Sequence, residues 1–194
     1  LVALVAGIAG VGASMYVDPS LAQRLAGTEP GQEVLAAVMQ AQAPKPPEGV
    51  IVAERGGIVP DMTLSEADGT NIEVPKAWVG KVTLVNLWAT WCAPCLKEMP
   101  DLQVFADEQG ADGVQVVGIA LDDVGAVRDF MRQRRIRYPT LVDAPGPADA
   151  GVRLGNPNGV LPYTVLISAD GHLIKRRIGP FPSASYIAHW AVEN

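Results

Sequence analysis

The chain has 194 residues, of which 48% are hydrophobic and 19% are charged. These proportions exclude wholesale disorder and leave enough apolar side chains for a core. Fifteen basic residues stand against 21 acidic ones, and the resulting net charge of −6 argues against nucleic acid as a partner. The length fits one ordinary domain preceded or followed by an additional segment.

The first 17 residues, LVALVAGIAGVGASMYV, carry no charge. As a helix they span about 25 Å, at the lower limit for crossing a hydrocarbon core of about 30 Å. They fit either a transmembrane anchor or a secretory signal cleaved after small residues such as Ala13. A buried core helix is the third alternative, which Gly7, Gly10 and Gly12 disfavour. Either of the first two readings places the rest of the chain on the extracytoplasmic or periplasmic side of the cell membrane.

Residues 18–57 are expected to be a linker. Pro30 interrupts the segment, and a short helix is predicted over Gln32–Gln42. Pro44, Pro46 and Pro47 follow and favour an extended backbone. Residues 58–194 then remain for one compact domain.

In that domain, apolar β-branched runs alternate with amphipathic segments, which predicts a central mixed β-sheet with helices on both faces. A β-hairpin around Asp68-Gly69 opens the domain. The predicted strands are Met62–Leu64, Asn71–Val74, Lys81–Trp88, Val114–Leu121, Pro139–Val142, Tyr163–Ser168 and His172–Ile178. The predicted helices are Pro94–Gln109, Asp123–Arg135, Ala148–Leu154 and Ser183–Glu193.

The only two cysteines, Cys92 and Cys95, lie three positions apart, between a predicted strand and a predicted helix. The first turn of a helix has unpaired N–H groups and a positive dipole end, so it stabilises a thiolate on Cys92. Pro94 fits this turn because no N–H partner is needed there. Cys95, one turn deeper, would resolve a mixed disulfide formed by Cys92. The alternative is a structural or metal-binding pair.

Metal and haem sites find little support in the composition. A four-ligand zinc site would have to recruit both histidines, His172 and His189, which are remote from the cysteines. Covalent haem attachment is excluded because Leu96, and not histidine, follows Cys95. We therefore expect neither a metal nor another cofactor.

Two stretches, GKVTLVNLWATWCAPCLKEMP at 80–100 and GVLPYTVLI at 159–167, resemble the exported TlpA/ResA-like branch of the thioredoxin superfamily. The resemblance covers essentially all of residues 58–194. It implies an α/β thioredoxin fold, with the N-terminal β-hairpin and with an inserted helix-plus-strand unit around Asp123–Arg135. It also implies a membrane-tethered thiol-disulfide oxidoreductase that reduces protein clients in cytochrome c or copper-oxidase assembly, and we expect it to be a monomer. A membrane-embedded thiol reductant would donate its electrons.

The resemblance also implies roles for residues around the cysteines. Pro162 would follow a cis peptide bond and face the pair, and the backbone of Leu161 before it would bind the client chain. Glu98 would tune the thiols, because a nearby carboxylate raises their pKa; the alternative is a solvated helix residue. Asn86 stands where small thioredoxins carry a buried aspartate. Trp91 would shield Cys92.

Two other functions remain open. The pair could bind Cu(I) as a chaperone site, although copper-delivering relatives space their cysteines one residue further apart and add a histidine. The chain could also be a thiol peroxidase, although no arginine partner for a peroxidatic cysteine is recognisable in the sequence.

Overall fold

The computed structural model describes residues 27–134 and 136–192. The expected anchor or signal segment at 1–17, the first part of the linker, Arg135 and the last two residues lie outside this range. The chain divides into two compact units, Leu1–Gln42 and Ala43–Asn194. Among the described residues, no helix is both long enough and apolar enough to span a membrane.

The described part of the first unit contains one helix, α1, at Glu29–Ala41. Thr28 caps it, and its side-chain oxygen accepts a hydrogen bond of 3.2 Å from the Gly31 N–H. The helix predicted for the linker is therefore present and begins at Glu29 rather than at Gln32.

The second unit is built on a mixed sheet of seven strands in the order β2-β1-β5-β4-β3-β6-β7. The strands are β1 (Met62–Glu66), β2 (Asn71–Val74), β3 (Thr83–Trp88), β4 (Gln115–Leu121), β5 (Thr140–Asp143), β6 (Tyr163–Ile167) and β7 (Leu173–Ile178). The helices are α2 (Ala93–Glu108), α3 (Val124–Gln133), α4 (Ala150–Arg153) and α5 (Ala184–Val192). Strands β3, β4 and β5 are parallel, and the other pairings are antiparallel.

Strand β3 lies between β4 and β6, and all six of its residues are buried. A continuous apolar run of this kind is what a strand covered on both faces requires. Helix α3 and strand β5 follow β4, and β5 inserts between β4 and the N-terminal hairpin. The structure thus confirms the mixed sheet, the hairpin and the helix-plus-strand unit.

Two layers of apolar side chains cover the sheet, because successive residues of a strand point to opposite faces. On one face, Leu84 and Trp88 of β3 pack with side chains of α2, α3 and α5. On the other face, Val85 and Leu87 pack with side chains of α4 and of the N-terminal hairpin. Both cysteines belong to the first layer.

The second unit extends upstream of the expected boundary at residue 58. The Ala53 N–H donates to the Arg153 carbonyl over 2.7 Å, and the Gly56 N–H donates to the Leu173 carbonyl over 2.8 Å. Ala53 is also buried against the second core layer. Residues 53–57 therefore belong to the domain rather than to the linker; they form no regular helix or strand, so no periodic pattern marked them.

Leu102 of α2 is fully buried in the layer that contains the cysteines. We expect Leu102→Ala to lower the free energy of unfolding by roughly 2–5 kcal/mol, because it removes buried methyl groups and leaves a cavity. Urea unfolding measures this loss. Val104→Ala on the same helix is the matched control, since Val104 is 47% exposed; an equal loss in both variants would contradict the packing described here.

Candidate active site

The cysteine pair lies where the central strand leads into helix α2. Strand β3 ends at Trp88, and Cys92 is the N-cap residue of α2. A disulfide joins Cys92 to Cys95. The Cys95 N–H lies 3.4 Å from the Cys92 sulfur and donates to it. The predicted strand–cysteine–helix arrangement is therefore present, and the helix N-terminus favours a thiolate on Cys92 once the disulfide is reduced.

The two cysteines differ slightly in access to solvent. Cys92 retains 4% of its exposure, whereas Cys95 has none. Trp91 is 70% exposed, and its neighbours Ala93 and Pro94 are also exposed. The sequence around Cys92 thus presents an apolar rim to solvent, while Cys95 points into the core. Cys92 is therefore the less buried of the two cysteines.

A buried carboxyl group lies one helical turn beyond Cys95. Glu98 is 2% exposed, and each of its oxygens accepts a hydrogen bond. Its Oε1 accepts from the Asn86 Nδ2 over 2.9 Å, and its Oε2 accepts from the Phe181 N–H over 2.8 Å. The Asn86 Nδ2 also donates to the Thr164 hydroxyl over 3.1 Å. The alternative reading of Glu98 as a solvated helix residue is therefore wrong.

Burial raises the pKa of Glu98 to about 7. The hydrogen bonds from Phe181 and Asn86 and the positive charge of Arg177 act in the opposite direction, and the nearby Asp101 adds to the increase. Near neutral pH the group is therefore present in both protonation states. A carboxyl group with this pKa can accept and return a proton near neutral pH, and it lies one helical turn beyond Cys95.

Asn86 holds this carboxyl group in place. It lies on β3 opposite Gly118 of β4 and Thr164 of β6, and it is fully buried. Asn86 stands where small thioredoxins carry a buried aspartate. Because an amide does not titrate, Asn86 cannot accept a proton there. In this chain the titrating group behind the cysteines is on the helix rather than on the strand.

Asp122 is a site residue that the sequence analysis missed. It follows β4, and its Oδ2 accepts from the backbone N–H of Thr90 over 2.9 Å and from the Thr90 hydroxyl over 2.5 Å. Partial burial raises the pKa of Asp122, but its hydrogen bonds outweigh that effect and hold the pKa below its usual value. Asp122 thus anchors the loop that carries Trp91 and Cys92. An acid directly after a strand parallel to β3 is the signal that could have found it.

The proline predicted to face the pair lies directly before β6 and is buried. The Leu161–Pro162 peptide bond is cis, as the resemblance implied. Leu161 is half-buried and packs against both core layers, including the one that contains the cysteines. A second cis bond, Val74–Pro75, was not predicted.

Within residues 27–134 and 136–192, no three histidine, cysteine, aspartate or glutamate side chains come together in a way that could hold a metal ion. Of the candidate residues, the structure joins Cys92 to Cys95 through the disulfide and Asn86 to Glu98 through a hydrogen bond. Helix α2 carries Cys95 and Glu98 one turn apart.

Comparison with known proteins places the chain in a family. The model of the Redoxin family matches residues 54–188. The chain belongs to the Redoxin family. It is 28% identical over 145 residues to sporulation thiol-disulfide oxidoreductase A of Bacillus subtilis, which covers 72% of this chain and 84% of that protein. It is 31% identical over 125 residues to the thiol-disulfide oxidoreductase ResA of Bacillus cereus, covering 64% and 69%.

A solved structure supports the same assignment. The secreted thiol-disulfide isomerase of Corynebacterium glutamicum aligns with a TM-score of 0.61 and 25% identity, over 77% of this chain and 95% of that one. This Redoxin-family chain has the same fold and carries the cysteine pair as a disulfide. It is a thiol-disulfide oxidoreductase of the ResA type.

The raised pKa of Glu98 predicts a pH-dependent stability of the oxidised enzyme. Its pKa is about 7 in the folded state and 4.5 when unperturbed. Between these two pH values the folded state binds one proton more than the unfolded state. The contribution of this proton to the free energy of unfolding, roughly 3 kcal/mol, is complete below about pH 4.5 and is lost as the pH rises through about 7. Urea unfolding of the oxidised protein from pH 4 to 8 measures it without interference from thiols.

Glu98→Gln should remove this dependence. The side-chain carbonyl of the glutamine can accept a hydrogen bond from the Phe181 N–H. Its NH2 group can donate to the side-chain oxygen of Asn86 once the Asn86 side chain rotates. Glu108→Gln, an exposed change on the same helix, is the control and should titrate like the unmodified protein. If Glu98→Gln and the unmodified protein lose stability in parallel between pH 5 and 8, the raised pKa is wrong.

Proposed function

We propose that this enzyme reduces disulfide bonds in client proteins on the extracytoplasmic side of a membrane. The observation that carries the direction of electron flow is the buried Glu98 behind the cysteine pair. When it is ionised, it disfavours thiolates in the reduced protein by charge repulsion. A reduced form that is not stabilised as a thiolate gives up its electrons readily, whereas strong oxidants stabilise their reduced form.

The residues between the cysteines agree with this direction. Ala93 and Pro94 carry no charge and no hydrogen-bond donor on their side chains that could stabilise a thiolate on Cys92. The donor that stabilises a thiolate on Cys92 is then the Cys95 N–H at the helix N-terminus. This is enough to make Cys92 a nucleophile but not enough to make the protein an oxidant.

In the proposed reaction, Cys92 attacks the client and Cys95 resolves the mixed disulfide. The Cys92 thiolate attacks one sulfur of the client disulfide, and the other client sulfur leaves as a thiolate and takes up a proton. Cys95 then transfers its proton to the carboxylate of Glu98 and attacks the Cys92 sulfur. The second client sulfur leaves as a thiolate and takes that proton from Glu98, and the Cys92–Cys95 disulfide forms. The client leaves with two thiols, having gained two electrons.

The client would dock at the exposed rim around Cys92. Trp91 and Pro94 are exposed on one side, and Leu161 lies half-buried against the layer that contains both cysteines. An extended client segment could pair with the backbone at Leu161 while its cysteine meets Cys92. The apolar character of this rim favours clients with apolar residues beside their cysteines.

Two observations support the extracytoplasmic location, and the family resemblance supports the client class. The uncharged segment at 1–17 fits an anchor or an export signal, and one structural relative is a secreted thiol-disulfide isomerase. The resemblance to the TlpA/ResA-like branch favours apocytochrome c or a copper-oxidase subunit as client. Electrons would come from a membrane-embedded thiol reductant, and the enzyme would act as a tethered monomer.

The roles of the two cysteines can be separated with a disulfide-bonded Cys-x-x-Cys-His peptide as the client. We expect Cys95→Ser to accumulate a mixed disulfide with this peptide, because the resolving thiol is missing. Cys92→Ser should trap little, since Cys95 has no exposure. Non-reducing electrophoresis with mass spectrometry detects the adduct, and equal trapping by both variants would contradict the assignment.

The direction of electron flow is tested by the midpoint potential of the Cys92/Cys95 couple, read from tryptophan fluorescence in defined thiol buffers. We expect a value near or below about −230 mV, in the range of reductants. A value near about −120 mV would make the protein an oxidant and overturn the proposed direction.

A further inference from the structure

Strand β7 buries two cations against helix α5. Lys175 and Arg177 are 3% and 7% exposed, although the sequence shows only a basic run on an edge strand. The Lys175 ammonium lies 5.1 Å from the ring centre of Trp190. The Arg177 guanidinium lies 5.0 Å from the ring centres of both Phe181 and Tyr186. Burying a charged group is unfavourable unless the group is paired or hydrogen-bonded, so these cations are expected to have partners within the protein.

Arg177 has such a partner in the connection between β7 and α5. Its Nη2 donates to the carbonyl oxygen of Pro180 over 3.1 Å. The amide N–H on the other side of the same peptide group belongs to Phe181, and it donates to the Oε2 of Glu98 over 2.8 Å. One peptide group therefore joins the guanidinium to the carboxyl group behind the cysteines.

Because this peptide group is hydrogen-bonded at both ends, it can transmit the effect of the Arg177 charge to Glu98. A cation at its carbonyl oxygen polarises the amide and makes its N–H a stronger donor. The two rings that stack on the guanidinium also hold this connection in one position. The effect on Glu98 is to favour its ionised form, both through the stronger hydrogen bond and through the positive charge.

We propose that Arg177 is a positioning residue of the redox centre, which acts on Glu98 through the Pro180–Phe181 peptide group. The proposal rests on the function proposed above, in which Glu98 accepts the Cys95 proton. Arg177 keeps part of the Glu98 population ionised at neutral pH despite its burial. Without Arg177, Glu98 remains protonated, Cys95 keeps its proton, and the client is released more slowly from the mixed disulfide.

Other groups also face Glu98. Asp101 on its own helix opposes its ionisation, and Arg177 on β7 favours it. Tyr138, just before β5, is buried; burial and the neighbouring Glu98 both raise its pKa, so it stays neutral. Asn86 on β3 donates to Glu98 and does not titrate. On α2, the Cys92 and Cys95 thiols join this set only after reduction, so the oxidised protein isolates the link between Arg177 and Glu98.

The first test uses the oxidised protein without substitutions. A pH titration by NMR follows the Glu98 side-chain carboxyl carbon, the Phe181 amide proton and the Arg177 guanidinium nitrogens. We expect all three to change with one midpoint, and we expect the change at Phe181 and Arg177 to vanish in Glu98→Gln. If Phe181 follows Glu98 but Arg177 does not, the proposed link through the peptide group is overturned.

The second test compares two variants on the same strand. Arg177→Met should raise the Glu98 midpoint by about one unit, a tenfold gain in proton affinity, because it removes a charge-assisted hydrogen bond to the peptide. Lys175→Met removes the other buried cation, over Trp190, and should leave the midpoint in place. An unchanged midpoint in Arg177→Met, or an equal shift in both variants, would overturn the proposal.

The kinetics of client release distinguish the proposed role of Arg177 from the proposed role of Glu98 as proton acceptor. The release of a client peptide from the mixed disulfide should show a pH profile that shifts together with the Glu98 midpoint in Arg177→Met, and Arg177→Lys should restore part of it. If the midpoint shifts and the release profile does not, Arg177 acts on Glu98 but Glu98 is not the proton acceptor. If Arg177→Met does not fold, the titration of the unmodified protein still decides the link.

Discussion

The burial of one carboxyl group behind the cysteine pair is the constraint on which the rest of the site depends. A carboxyl group without water is tolerated only when its oxygens have donors. Glu98 finds them on two elements, because Asn86 comes from the central strand and the Phe181 N–H comes from the connection before α5. The site therefore forms only when helix α2, strand β3 and the connection between β7 and α5 pack together.

This arrangement separates the two thiols chemically as well as spatially. Cys92 is at the helix N-terminus beside an exposed apolar rim, where a thiolate is stabilised and a client can approach. Cys95 is in the core, on the same side of the helix as a carboxyl group whose pKa is near 7. In the proposed reaction the outer sulfur therefore attacks, and the inner one needs a base to release its proton. One helical turn gives both environments.

Anchors on neighbouring strands keep the geometry rigid. Asp122, after β4, holds the backbone and the hydroxyl of Thr90 just before the cysteine loop. Arg177, on β7, holds the peptide group that contacts Glu98. Asp122 reaches Thr90 because β4 lies beside β3, and Arg177 lies on β7, on the other side of β3 beyond β6. The central position of β3 is therefore a condition for the chemistry.

The amino-acid sequence by itself determined the cysteine pair, its place between a strand and a helix, the mixed sheet and most element boundaries. These follow from local patterns, namely apolar runs, helical spacing and the position of Pro94 in the first turn. Whether Glu98 is buried or solvated, and which donors it meets, was decided only by the tertiary structure. The same holds for Asp122 and for the burial of Arg177. Each depends on strands that pair across long sequence separations, and no local pattern encodes which side chains those pairings bring together.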